Sequence, residues 1–281
     1  MIAKKLSAEE KANLSPQEYR LMVRRREWPI DDTEILGYCE GYTRHALVIL
    51  PKDYAFEFLA FCVRNPRALY VADICEPGLP HPMLLAPGAD VRTDCNGYRV
   101  YKNGEVIDEP ADVMNYWRDD LVSFFPPCGF TLLSVMRGYK IKFRYMGVYY
   151  TNLQALPAGR FSNHNMITVA IACETRHDAI RAIEVSSRLP VGHGSPVHIG
   201  DPADIGIKDI LKPDFGKPPT EPPKPGEVML YWLGGLTSES AIQAAKPPLA
   251  IMHRPPWVFL SDRLAEEFAY TEEIDSPITG I

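Results

Sequence analysis

The sequence predicts an α/β protein in two parts: a main sheet with helices on its faces, and a smaller two-layer α/β subdomain inserted within it. Three observations carry this. Leu47 to Leu50 is a short apolar run, Asp53 can cap a helix carrying Phe56, Leu59, Cys62 and Val63 up to Asn65-Pro66, and Leu69 to Ile74 is a second apolar run. That succession has the size of a strand, helix, parallel strand unit. Ile141 to Tyr150, Met166 to Cys173 and Arg176 to Leu189 then read as strand, strand and amphipathic helix, with Ala179, Ile180, Ile183 and Val185 near one face. Finally, Val228 to Leu233, a helix near Ser238 to Ala245, Leu249 to Met252 and Val258 to Leu260 return to alternating α/β. The main part is assigned to residues 1–125 and 190–281, and the inserted subdomain to 126–189.

The remaining elements follow from local chemistry. Ser15-Pro16-Gln17-Glu18 has the spacing of a capping box with proline at the first helical position, so residues 1–28 read as helical. Glu76 to Gly88, rich in proline and glycine, reads as an ordered loop at a strand end, where ligands tend to bind. Tyr98 to Asp108 alternates about Asn103-Gly104, the dipeptide that supplies the positive φ angles of a type I′ hairpin. Residues 111–125 and 131–138 read as short helices separated by Pro126-Pro127, and Pro196 to Ile199 as a short strand. Pro213 to Pro225 holds six prolines in thirteen residues and favours an extended crossing.

Composition excludes several function classes. The 281 residues are 46% hydrophobic and 23% charged, which is a globular balance and not that of a disordered or coiled-coil chain. With 30 Lys+Arg against 36 Asp+Glu the net charge is −6, so no basic field draws nucleic acid or anionic lipid. The six cysteines form no C-x-x-C pair and read as reduced and mostly buried. No apolar run reaches bilayer length, and the charged N-terminus lacks an apolar signal region. The expectation is a soluble cytoplasmic protein with a small-molecule substrate, no nucleic-acid or membrane partner, and a homo-oligomer built through the N-terminal helix or the proline-rich arm.

Five constellations could do chemistry. In Gly88 to Asp94, an extended backbone would put Asp90, Arg92 and Asp94 on one face, as a carboxylate clamp or as an ion-pair ladder. Arg118, in Trp117-Arg118-Asp119-Asp120, stands at an expected helix start. Arg160 and Ser162 lie in a glycine-containing loop suited to an anion. His193 to Pro202 packs His193, Ser195, His198 and Asp201 into a rigid turn and strand, where the two histidines face opposite ways and one is structural. This spacing does not assemble a zinc site, so no metal and no cofactor are expected, and no G-x-S-x-G elbow supports a serine triad. His253 precedes Arg254-Pro255-Pro256 and reads as part of a surface turn.

The strings LVILPKDYAFEFLAFCVRNP, LAPGADVRTD, YRVYKNGEV, WRDDLVSF, PAGRFS, HGSPVHIGDP and KPPLAIMH, in this order over about residues 14–265, resemble the D-glutamate cyclase family, bacterial proteins catalogued as hydro-lyases. The resemblance implies a three-layer αβα domain with a smaller two-layer α/β domain. It also implies loss of water from a small amino or hydroxy acid, as when D-glutamate closes to 5-oxo-D-proline. On that reading Arg92 or Arg160 binds the substrate carboxylate, Arg118, Asn152 and Tyr150 line the site, and His193, His198, Asp90 or Asp94 moves the proton.

The departures from the family pattern run one way. Tyr150-Thr151-Asn152 replaces an R-T-N string, Ala46 an asparagine, Leu133 a glutamate, Gly234 a cysteine, and Pro255-Pro256-Trp257 a P-G-H turn. Where these positions line the pocket, each lost charge-assisted hydrogen bond removes roughly 1.5–3 kcal/mol of binding to a small dianion. Three readings follow: a cyclase or hydro-lyase of the family type, a relative turned to a bulky apolar substrate of specialised metabolism, and a non-catalytic small-ligand-binding protein.

Overall fold

The computed structural model describes residues 6–27, 35–162 and 164–270. In chain order the elements are Ala8–Asn13 (α1), Pro16–Arg24 (α2), Tyr42–His45 (β1), Val48–Pro51 (β2), Lys52–Arg64 (α3), Pro66–Leu69 (α4), Tyr98–Lys102 (β3), Glu105–Asp108 (β4), Leu121–Phe124 (β5), Gly129–Gly138 (α5), Phe143–Gln154 (β6), Asn165–Cys173 (β7), Arg176–Ser187 (α6), His198–Ile199 (β8), Val228–Leu233 (β9), Thr237–Ala245 (α7), Ala250–His253 (β10) and Phe259–Leu264 (β11). They build a mixed α/β protein around three sheets. The orders are β4-β3-β10-β2-β5, β6-β7-β9-β8 and β1-β11.

Every strand pairing in these sheets is antiparallel, which corrects the expected parallel unit. After α3, Pro66 starts another helical turn, and Leu69 belongs to it. Residues 72–75 then run back along the outer edge of β5, bonded to Phe125 and Ser123, with one bridge from Ile74 to Phe124. The Asp73 carboxylate ends any strand there by accepting from the N–H groups of Ile74, Leu84 and Leu85, which pins the proline-rich loop that follows. Residues 111–125 also differ from expectation. Only Met114–Tyr116 forms a 3₁₀ turn, and Leu121 to Phe124, buried at every position, is a strand on β2. A wholly buried run of this length suits a strand between neighbours better than an amphipathic helix.

The hairpin forms about Asn103 (φ 52°) and Gly104 (φ 83°), as its dipeptide requires. The capping box at Ser15 and Glu18 is present, but Ser7 and Glu10 make a second one, so the described part of 1–28 is two helices. Residues 1–5 and 28 of that expected helix lie outside the described residues. On α3 the buried residues are Phe58, Phe61 and Cys62, whereas Phe56 and Val63 are exposed. The helix starts directly after Pro51, and Asp53 sits in its first turn without capping it.

One face of the five-stranded sheet packs on α3, α4 and α7 through Val48, Leu50, Phe58, Phe61, Phe124 and Met252. Its other face is covered by ordered irregular chain, including Leu85, Ala89, Val91 and Val113. The four-stranded sheet packs Ile171, Leu230 and Trp232 on α5 and α6. Its outer two strands, β9 and β8, come from residues 198–233, so the sheet extends beyond the 126–189 segment. Along its free edge the crossing at Pro213 to Pro225 lies beside β6: Asp214 and Phe215 donate to Val148 O, and Arg144 donates to Pro222 O and pairs with Glu227. This shields a strand edge from further pairing.

Candidate functional site

Several expected residues are bound to neighbours. The 88–94 segment is a turn and not an extended strand, so its three charges do not share a face. Arg92 closes on Asp90 with two bonds of 2.9 and 2.7 Å and lies over the Trp117 ring. Asp94 is fully buried and accepts both Nε and Nη2 of Arg24, at 2.9 and 2.8 Å, together with the Thr93 hydroxyl and the Asp90 N–H. It anchors α2. Arg118 pairs with Asp120 at the surface, in irregular chain and not at a helix start. Arg160 holds Glu57 in two bonds of 2.9 and 2.8 Å and stacks over Tyr54. Asn152 is exposed on β6, with Gly206 close against it.

The two histidines of the HGSPVH string part, as expected. His198 Nε2 donates to Asp201 O, 2.8 Å away, and its ring lies 5.4 Å from that of Tyr231. His193 is fully buried in the left-handed region (φ 74°). Its Nδ1 lies 3.1 Å from Arg67 O; a carbonyl only accepts, so Nδ1 carries the proton and Nε2 the lone pair. Nε2 has no hydrogen-bond partner, and burial pushes the imidazole down to about 4, so it is neutral at pH 7. His253 is a correction: it is buried on β10 and not in a surface turn, and its Nδ1 accepts the Leu47 N–H at 3.1 Å. A buried strand in the middle of the sheet holds it, and burial lowers it to about 4.

His193 borders a junction where the two larger sheets meet through glycines. Ala46 donates to Pro126 O, and Gly235 lies against both Pro127 O and Ala46 Cβ, where a methyl group would overlap the carbonyl. Gly129 and Gly234 lie against Val169, and Gly234 donates to Ile167 O at 2.7 Å. One turn along α5, Leu132 touches Gly192, and Trp232 Nε1 donates to Gly194 O at 2.8 Å, which fixes the turn carrying His193. Of the five departures from the family pattern, Ala46 and Gly234 are in this junction and Tyr150 is at its rim. Leu133 fills the core under α5, and Trp257 packs with the α2 cluster.

Beside the junction, α7 carries a polar network that sequence reasoning missed. Glu239, nearly buried in the first turn of α7, accepts Arg99 Nη1 at 2.8 Å and the Tyr101 hydroxyl at 2.6 Å. Burial and the Glu239 charge push the Tyr101 phenol up. Burial opposes charge on Arg99, but its bonds to Glu109 and the field of Glu239 outweigh that and raise it. A usable signal existed: Arg99 and Tyr101 share one face of the expected hairpin, and Glu239 is the one charged residue in α7. A second missed set is the fully buried chain Ser261, Thr43, His45, with oxygens 2.5 Å apart and His45 Nε2 2.9 Å from Thr43 Oγ1. Burial lowers His45 to about 3.

Among the described residues no three His, Cys, Asp or Glu side chains are grouped to hold a metal ion, and no helix is long and apolar enough to cross a membrane. A cavity of about 470 Å³ beside β6 is lined by Arg137, Lys142, Arg144, Lys224, Glu174 and Glu227, where Arg144 and Lys142 are already paired.

A profile of the family described as D-glutamate cyclase matches residues 122–262, which run from β5 to the middle of β11 and include His193, Gly234 and Glu239. The chain is 41% identical over 262 residues to a "Putative hydro-lyase" of Geobacillus kaustophilus, covering 91% of this chain and 97% of the relative. A protein of the same name from Bacillus licheniformis is 41% identical over 261 residues, with the same coverage. A third, from Psychrobacter arcticus, is 38% identical over 264 residues, covering 92% and 98%. Among solved structures, a nitrogen repressor-like protein from Methanococcus jannaschii aligns with 89% of this chain and 99% of its own at 10% identity and a TM-score of 0.37, too slight a likeness to carry an argument. With relatives this similar over nearly its whole length, the chain belongs to the D-glutamate cyclase family.

Proposed function

We propose that this protein is a lyase that removes water from, or closes a ring in, a carboxylic or amino acid, with His193 moving the proton. Family membership supports the reaction type. The observation that carries the assignment to a residue is His193 Nε2: a neutral, desolvated lone pair without a partner, on a ring fixed by its other nitrogen. Asp94 is consumed by Arg24, and Asp90 by Arg92; His198 is engaged on Asp201.

In ring closure of an amino acid, the amine attacks the side-chain carboxyl and a C–N bond forms. Nε2 takes a proton from that nitrogen and returns it to the leaving hydroxyl as the C–O bond breaks, so that water departs and the imidazole ends neutral. General acid–base transfer of this kind contributes roughly 10²–10⁴ in rate. Nε2 is sealed from solvent, so the reading requires the 190–194 turn to part when substrate binds. Arg92 and Arg160, the carboxylate clamps the family resemblance suggested, are held by Asp90 and Glu57 and carry no part of this reading.

The test is incubation of the purified protein with D-glutamate and a panel of amino and hydroxy acids, followed by mass spectrometry. A product lighter by one water supports the reading. No conversion of any acid overturns it.

A further inference from the structure

The turn that seals His193 is braced from within and tied from outside. Gly192 and Gly194 both donate to Leu189 O at 3.0 Å, and His193 N donates to Pro190 O at 3.1 Å, so the turn holds its own shape. Two side chains fix it in place. Trp232 Nε1, in the core, donates to Gly194 O, while Arg67, exposed on α4, donates through Nη2 to Ser195 O and, at 2.8 Å, to Pro196 O. Arg67 also supplies the carbonyl that fixes His193 Nδ1. One residue thus grips both the His193 ring and the chain that leaves it.

Arg67 differs from the arginines that the sequence singled out. Arg92, Arg118 and Arg160 each hold a carboxylate, as do Arg99 and Arg144. The Arg67 guanidinium holds the two carbonyls alone: among the described residues no carboxylate pairs with it, and its Nε and Nη1 have no protein acceptor. A carboxylate binds a guanidinium in a fork, by Nε with Nη2 or by Nη1 with Nη2, and is the stronger acceptor. Both forks use Nη2. That nitrogen has two hydrogens and two carbonyl partners, so either fork takes a hydrogen from Ser195 O or Pro196 O and loosens the chain beside His193. Water screens the gain at an exposed arginine, which keeps the exchange near balance and reversible.

We propose that Arg67 is both the carboxylate contact and the latch of this site: an acid that binds its guanidinium releases Ser195 O and Pro196 O, and the turn carrying His193 parts. This deepens the lyase reading, on which it rests, by giving the acid a cation and by naming what opens the sealed base. His193 Nδ1 stays on Arg67 O, so the ring keeps its orientation as the chain beyond it moves.

The test reads the turn directly. Hydrogen exchange over residues 189–197 of the full-length protein is followed by mass spectrometry alone, with D-glutamate or glutarate, with glutaramide as the uncharged analogue, and with sodium chloride at matched ionic strength. The expected result is saturable acceleration by at least one of the acids, reaching Val197, whose N–H donates to Tyr231 O, and none by glutaramide or salt. Arg67→Met should exchange faster without acid and not respond to it. Arg67→Lys, which keeps the charge without the fork, should need at least about tenfold more acid for the same response, and it stands in for Arg67→Met if that variant does not fold. Arg64→Met, at an exposed arginine that donates to Pro157 O, should behave as the wild type. A purely structural Arg67 would give the faster exchange of Arg67→Met but no response to acid in the wild type. No response to either acid, an equal response to glutaramide, or a response kept in Arg67→Met overturns the inference. Where an acid is converted, Arg67→Met should raise KM at least about tenfold with a smaller change in kcat. An acid that loosens the turn without being converted leaves the latch standing and the lyase reading fallen; conversion with neither exchange nor KM sensitive to Arg67 does the opposite.

Discussion

Replacing Arg99 by methionine keeps most of the aliphatic stem of the side chain while deleting its charge. Two ion pairs disappear. The one to Glu109 is partly exposed and contributes about 0.2–1 kcal/mol. The one to Glu239 differs in kind, because the Glu239 side chain is only 4% exposed and keeps only the Tyr101 hydroxyl. Leaving one partner of a buried pair costs about 3–5 kcal/mol. Arg99 itself is 23% exposed, so water can reach the vacated space, and the lower end applies. The sum is about 3–4 kcal/mol, or about 5–7 °C in Tm for a chain of this length. Glu239→Gln removes the stranded charge while retaining an acceptor for Tyr101, so Arg99→Met/Glu239→Gln should recover at least half of the loss. Urea and thermal unfolding of the three variants measure this. A loss below about 1 kcal/mol in Arg99→Met, or a double variant as unstable as the two singles summed, would refute the buried-network reasoning.

His45, His193 and His253 are held neutral, at about 3, 4 and 4, below the usual value near 6.5, so acid favours the unfolded chain. Stability is full above pH 6.5 and falls as pH drops toward 4, by on the order of 2 kcal/mol per histidine at pH 5; urea midpoints that do not move between pH 7 and 5 would contradict this. Gly235→Ala would force a methyl group onto Pro127 O and should cost about 1–3 kcal/mol, whereas Gly138→Ala, at the open end of α5, should stabilise by up to about 1 kcal/mol. Equal Tm values for the two variants would show that the junction is not tightly packed. Asp94→Ala strands Arg24 and frees α2 from the 88–94 turn, a loss of about 2 kcal/mol that should appear as faster hydrogen exchange in residues 16–24; unchanged exchange there would sink the anchoring role.

What the sequence disclosed was local. The cap at Ser15, the turn at Asn103-Gly104 and the long strands before and after residue 160 each rest on neighbouring residues, and all are present. Residues 69–74 and 111–125 misled because a short apolar run cannot tell its partner or direction; Asp73 and the pairing of β5 with β2 decided both. The candidate site was half legible. His193 stood out in a dense motif, but Glu239 depends on Arg99, 140 positions away, and no spacing rule connects them. Asp90, Arg92 and Asp94 were grouped for an extended backbone that the turn at 88–94 does not adopt, which sends the arginine to one carboxylate and leaves the other for α2.

The role of His193 is tested most directly by His193→Asn, measured against the wild type on whichever acid is converted. Asparagine tolerates the left-handed backbone at this position, and its amide nitrogen can donate to Arg67 O as Nδ1 does, so only Nε2 is lost. The account predicts a kcat lower by roughly 10² or more, with the fold and Tm preserved. A variant that folds normally and turns over at the wild-type rate would remove His193 from the chemistry.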